Sequence, residues 1–144
     1  MRSHRLPVGL ASTDRLGRSP AATTWLVASV VLAAVTSYLA LTPVPPSIIE
    51  TGWDKLNHAL AFSALAFSAQ LAWRPLRRGR LALLIGLLAF GGLLEVLQLG
   101  VPGRLAEWTD LITNGVGVGI GATMAALRLR HSSLHWAVRR DDDE

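Results

Sequence analysis

Cysteine is absent from the 144 residues, which excludes disulfide bracing of any loop and leaves no thiolate for catalysis. Aromatic side chains are scarce at 6%, although 51% of the chain is hydrophobic. The apolar excess therefore lies mostly in Leu, Ala and Val, arranged in long runs. With a mean hydropathy of +0.38, this is the composition of a membrane protein, and no soluble domain is expected beside it. An internal repeat is also lacking. The end of the first run, "SYLALTPVPP", has no small-x-small cleavage site, and the run exceeds a usual signal-peptide core, so it is read as a retained span.

Four runs, 21–41, 55–73, 81–99 and 109–128, approach the roughly 20 helical residues that cross a hydrocarbon core of about 30 Å. The fold expected is all-α, an integral membrane four-helix bundle. Residues 21–128 form its transmembrane domain, between a basic cytoplasmic tail at 1–20 and a second cytoplasmic tail at 129–144. Basic residues orient it, because Lys and Arg near short loops stay on the cytoplasmic side. Arg2, Arg5, Arg15 and Arg18 precede the first span, Arg74, Arg77, Arg78 and Arg80 fill the second connection, and Arg128, Arg130, Arg139 and Arg140 follow the fourth. Of the 14 basic residues, only Lys55 and Arg104 fall on the other side. Both termini are thus expected in the cytoplasm. The same placement accounts for the net charge of +4, so nucleic acid is not expected as a partner.

Punctuation agrees. Ser19 and Pro20 read as N-cap and first helical residue, and "TPVPPS" from Thr42 stops that helix. Trp53 and Trp108 mark the outer interface and Trp25 and Trp73 the inner one, since indoles prefer headgroup depth. His131 and His135 have a helical metal spacing, but the tail that carries them ends in "DDDE" and reads as solvated.

On this topology the polar residues of the spans collect at the outer face. Asp54 and His58 open the second span, Glu95 and Gln98 close the third, Asp110 and Asn114 open the fourth, and Arg104 lies in the connecting loop. Residues three and four apart share a helix face. One stripe is Asp54, His58, Ala61, Leu65, Ser68 and Ala72. A second is Leu84, Leu88, Gly91, Glu95 and Gln98, and a third is Asp110, Asn114, Gly117 and Gly121. Each puts polar groups at its outer end and small residues or leucines below, so the three stripes are expected to face one another.

Each polar residue also has a purely structural reading. Asp54 and Asp110 suit helix N-termini, His58 suits a hydrogen-bonded packing position, and Gln98 and Asn114 suit interhelical bonding. "GVGVGIG" follows no strand, so its glycines read as packing residues and not as a phosphate loop. Glu95 is different. It sits toward a helix C-terminus, where the dipole opposes an anion by about 0.3–1 kcal/mol, and inside a span, where acids cost roughly 2–3 kcal/mol nearer the centre. A partner such as Arg104, Lys55 or His58, or a proton on the carboxylate, must offset that cost.

Together "DKLNHALAF", "EVLQ" and "PGRLAEWTDLITNGVGVGIG" resemble the VanZ-like family, small bacterial membrane proteins named after a teicoplanin resistance factor. The resemblance spans 33–127 and rests on Asp54, Lys55, His58, Glu95, Gln98, Arg104, Asp110, Asn114 and Gly115. It implies a multi-pass protein of the bacterial inner membrane with an envelope role; no motif ties the chain to glycopeptide resistance itself.

The function expected is an extracytoplasmic site acting on a lipid-linked or cell-envelope substrate. Glu95, His58 and Asp110 are its candidate catalytic residues, and Lys55, Arg104, Asp54, Gln98 and Asn114 its substrate-binding residues. A non-catalytic binder at the outer leaflet would need Lys55 and Arg104 more than Glu95. A transporter would place its coupling residues deeper. His58, Glu95 and Asp110 have zinc or manganese chemistry, but no spacing fixes their geometry and Lys55 and Arg104 repel a cation, so neither a metal nor a cofactor is expected. Membrane lipids are the expected partners, and oligomeric state is left open.

Overall fold

A computed structural model describes residues 19–43, 54–73, 77–102 and 107–141, with the side chains of 54, 77 and 132–141 outside that description. Four helices follow one another: α1 (Pro20–Leu41), α2 (Asp54–Trp73), α3 (Arg77–Gln98) and α4 (Trp108–Asp141). The start of α1 is capped as expected, with the Ser19 hydroxyl accepting from the Ala22 N–H at 3.3 Å and Pro20 in the first turn.

Two ends differ from expectation. Helix α3 begins at Arg77 instead of near Leu81, because Arg77, Arg78 and Arg80 are strong helix formers and the single Gly79 among them does not stop the helix. Helix α4 continues past Arg128 to Asp141, since neither Gly nor Pro interrupts the sequence after Gly121. At 1.5 Å per residue it is roughly 51 Å long, well beyond a hydrocarbon core of about 30 Å.

By length and composition, three helices among the described residues can cross a membrane: Pro20–Leu41, Arg78–Gln98 and Trp108–His131. The expected span 55–73 is not among them by that measure. Helix α2 forms where expected but carries Lys55, Asn57, His58, Ser63, Ser68 and Gln70 and falls short in apolar content. Its position explains how it tolerates them. Helix α2 packs chiefly on α4 and α1, while α3 leans on α4 and touches α1 and α2 more lightly. Ser68, Ala69, Gln70, Leu71 and Ala72 are all buried, and five consecutive helical residues face every direction. The helix that falls short as an apolar span is therefore the one enclosed at this end.

Small residues set the closest contact. A Cβ at Gly117 would lie 2.5 Å from the Ala59 carbonyl oxygen, and one at Gly121 would run into the Ser63 carbonyl. This small-xxx-small pair lets α4 press its backbone on that of α2, and the Ser63 hydroxyl donates to the Gly117 carbonyl at 2.9 Å across the seam. The core gathers Phe62, Leu65, Ala66, Leu87, Leu94, Val118 and Ala40.

Contacts at the two ends fix the relative directions. Trp25 meets Phe67 edge-on at 5.6 Å and lies 5.9 Å from the Arg128 guanidinium, so the start of α1 lies beside the last turns of α2 and the Arg128 stretch of α4. At the opposite end the Gln98 amide donates to the Ala40 carbonyl at 3.1 Å, joining the ends of α3 and α1. The starts of α2 and α4 share that end.

Candidate functional site

The expected facing of stripes holds most closely on α4, where Asp110, Asn114, Gly117 and Gly121 are all buried. On α2, Leu65, Ser68 and Ala72 are buried while His58 and Ala61 are half-buried. On α3, Gly91, Glu95 and Gln98 are buried, but Leu88 is exposed and burial passes through Leu87 and Leu94 instead.

The glycine seam sets the register of α2 against α4, and that register brings His58 to Asn114. The His58 Nδ1 lies 3.0 Å from the Asn114 Oδ1. An amide oxygen only accepts, so a bond in this orientation selects the form of the ring that is protonated at Nδ1. Asn114 is itself 1% exposed, and Gly91 on α3 makes room for it: a Cβ there would come 3.1 Å from both the Asn114 amide nitrogen and the Phe62 ring. Gly91 and Phe62 are thus the wall behind the histidine's anchor.

Glu95, 8% exposed, and Asp110, 5% exposed, complete the cluster. One ligand atom each from His58, Glu95 and Asp110 lies within 4.8 Å of the others. Two carboxylate charges at that separation repel by about 3.5 kcal/mol at an effective dielectric constant near 20. A positive charge between them is therefore favoured. The trio offers an imidazole nitrogen and two carboxylate oxygens, a donor set suited to proton transfer and to a transition metal alike.

Beside the trio runs a groove of about 340 Å³ between α3 and α4, lined by Gly92, Glu95, Val96, Leu99, Trp108 and Leu111, with Glu107 at its edge. Glu95 belongs both to this largely apolar groove and to the buried cluster. Lys55 does not face the trio in an ion pair; its Nζ lies 3.4 Å from the Glu107 carboxylate, with both side chains about half exposed. The Glu107 carboxyl is held below its ordinary range, first by the Thr109 hydroxyl donating at 2.8 Å and then by Lys55. Sequence reasoning assigned Glu107 no role; its sign and its place opposite Lys55 were the available signal. Gln98 spends its amide nitrogen on the α1 carbonyl. The Asp54 side chain and Arg104 lie outside the described residues.

An all-helical chain with three helices able to cross a membrane, and with polar side chains of the other helix and its neighbours buried together at one end, is a helical membrane protein of a compact kind. The VanZ/LLP1 family model matches residues 12–129, and the chain belongs to that family. No match is found among curated proteins or among solved structures.

Proposed function

We propose that this protein sits in the bacterial cytoplasmic membrane as a four-helix bundle with both termini inside, and that its polar cluster acts at the outer leaflet on an anionic, lipid-linked envelope substrate. The observation that carries the reading is the convergence of His58, Glu95 and Asp110 to within 4.8 Å beside an apolar groove that Glu95 also lines. A lipid-linked molecule has one part for each: an apolar tail for Val96, Leu99, Trp108 and Leu111, and a polar head for the buried trio.

The direction of insertion draws support from the arginines. The start of α1 meets the last turns of α2 and the Arg128 stretch of α4 through Trp25, and the arginine-rich segments adjoin those stretches in sequence, which suits the cytoplasmic side. The polar trio then faces out.

In the proposed chemistry Asn114 holds the Nδ1 proton and so keeps Nε2 of His58 ready to take or give a proton, while Glu95 or Asp110 serves as its acid–base counterpart. Lys55 binds the anionic head together with Arg104. Its pairing with exposed Glu107 is weakened by solvent, so a phosphate or carboxylate draws it away at little cost.

The test compares lipid-linked envelope precursors, by mass spectrometry, in cells carrying the wild type or one of Glu95→Gln, His58→Ala and Asp110→Asn at matched membrane levels. A precursor change produced by the wild type and lost in each variant is the expected result. An unaltered change in all three variants overturns the reading.

A further inference from the structure

We propose that His58, Glu95 and Asp110 form a binding site for one divalent transition metal ion, zinc or manganese. The inference deepens the functional reading, because a bound cation supplies the positive charge that an anionic head needs beside two carboxylates. It stands on geometry alone, however, and is measurable without substrate.

Three observations carry it. First, the donors come from three different helices, and their ligand atoms already lie within 4.8 Å of one another. Ligand atoms around tetrahedral zinc sit about 3.3 Å apart at bond lengths near 2.0–2.2 Å, so the largest gap closes by roughly 1.5 Å, within the reach of side-chain torsions. Second, the Nδ1 of His58 lies 3.0 Å from the Asn114 carbonyl oxygen, the kind of bond that orients metal-bound histidines and would leave Nε2 for the ion. The partner is buried, and its position is set by the α2–α4 glycine seam and by Gly91. Third, one of the two cations expected to repel a metal is engaged elsewhere: Lys55 pairs with Glu107 and is more than half exposed.

Donor chemistry narrows the ion. An imidazole beside two carboxylates favours zinc, manganese or iron over calcium and magnesium, which select all-oxygen sites. Three protein ligands leave at least one coordination position open, the pattern of catalytic sites and not of closed structural ones. Glu95 faces the groove as well as the cluster, so that position is reachable by a head group whose tail lies between α3 and α4.

The experiment uses the full-length protein purified in detergent, stripped with chelator and titrated with Zn²⁺ or Mn²⁺ by calorimetry, with Co²⁺ absorption as an optical readout of nitrogen and oxygen ligation. One ion per chain is expected. His58→Ala, Glu95→Gln and Asp110→Asn should each weaken binding at least 100-fold, and Asn114→Leu by 10- to 100-fold, the range for lost ligand orientation. The double variant His131→Ala/His135→Ala should keep the ion, which separates this site from the helical histidine pair. Circular dichroism selects variants that remain helical, and Glu95→Asp keeps a ligand where Glu95→Gln does not fold. A wild type that holds no ion, or one whose binding follows His131 and His135, overturns the metal site. The precursor assay is independent: altered precursors with no bound ion remove the metal and leave the acid–base reading, whereas a bound ion with unaltered precursors does the reverse.

Discussion

The α2–α4 seam gives the sharpest quantitative prediction. In Gly117→Ala the new methyl would stand 2.5 Å from the Ala59 carbonyl oxygen and 3.1 Å from its Cα, where ordinary contact begins at 3.4 Å. The obstacle is backbone, so it cannot rotate aside, and the two helices must part by about 1 Å. That displacement stretches the Ser63–Gly117 bond from 2.9 Å and the His58–Asn114 bond from 3.0 Å beyond hydrogen-bonding distance. Overpacking costs about 1–3 kcal/mol and the two bonds about 1 kcal/mol each, while Ala gains about 1 kcal/mol in helix propensity. The net loss is about 3 kcal/mol, or roughly 10 °C in Tm for a chain of this size. Gly119 is the matched control, since a Cβ there meets nothing within 4 Å, and Gly119→Ala should melt at or slightly above the wild type. Tryptophan-monitored thermal unfolding of the three proteins in one detergent decides it. If Gly117→Ala melts at or above Gly119→Ala, the close backbone contact is wrong, and with it the register that joins His58 to Asn114.

Gln98→Leu removes the donor to the Ala40 carbonyl and should cost about 1 kcal/mol, seen as a Tm lowered by a few degrees; an unchanged Tm would show that α1 is held without it. Because the Glu107 carboxyl is held below the ordinary value of 4.5, its contribution is fully present above pH 4.5 and is lost as pH falls through the lower folded value. The wild type should therefore outlast Glu107→Gln in thermal melts at neutral pH, with the difference vanishing in acid; a difference that grows on acidification contradicts the sign. The chain lacks cysteine, so single cysteines report sidedness directly. With a membrane-impermeant maleimide on intact cells, Gly100→Cys should label and Arg78→Cys should label only after permeabilisation, and the opposite pattern inverts the proposed insertion.

What could be read from the sequence was whatever is decided locally. The Ser19–Pro20 start needs only its own first turn, and the α4 stripe from Asp110 to Gly121 needs only helical spacing; both appear in the structure. Glu95 announced itself because no local role excuses an acid near a helix C-terminus inside an apolar run. Helix ends without stop signals were not legible, which is why α3 starts early and α4 runs on. Nor were pairings that depend on the offset between two helices. From sequence His58 reads as catalytic and Asn114 as substrate-binding, each with a structural reading beside it, and their bond to one another exists because Gly117 and Gly121 fix how far α4 slides along α2. The Lys55–Glu107 pair depends on the same offset, which is why, from sequence, Lys55 reads as a partner of Glu95 or a substrate-binding cation and Glu107 has no role.

The enclosed position of α2 explains why the site lies where it does. In a bilayer the polar side chains of a helix lose water and must find partners or cover, and α2 carries them along its whole length, from Lys55 to Gln70. Helix α1 provides cover: Val27, Val30, Val31, Val35 and Tyr38 remain exposed on it, an apolar surface fit for lipid, while its other side lies on α2. Deep in the bundle this arrangement leaves only packing and short hydroxyl contacts such as Ser29 with Ser68 at 3.1 Å. At the end of α2 where His58 emerges, the neighbours are the last turns of α3 and the first turns of α4, so Glu95 and Asp110 arrive beside it without crossing the core. There a polar group is dry enough for charge to act strongly and close enough to the helix ends for a ligand to reach. A polar central helix held between apolar ones thus generates, at its mouth, the kind of buried and approachable cluster from which a proton-transfer or metal site is built.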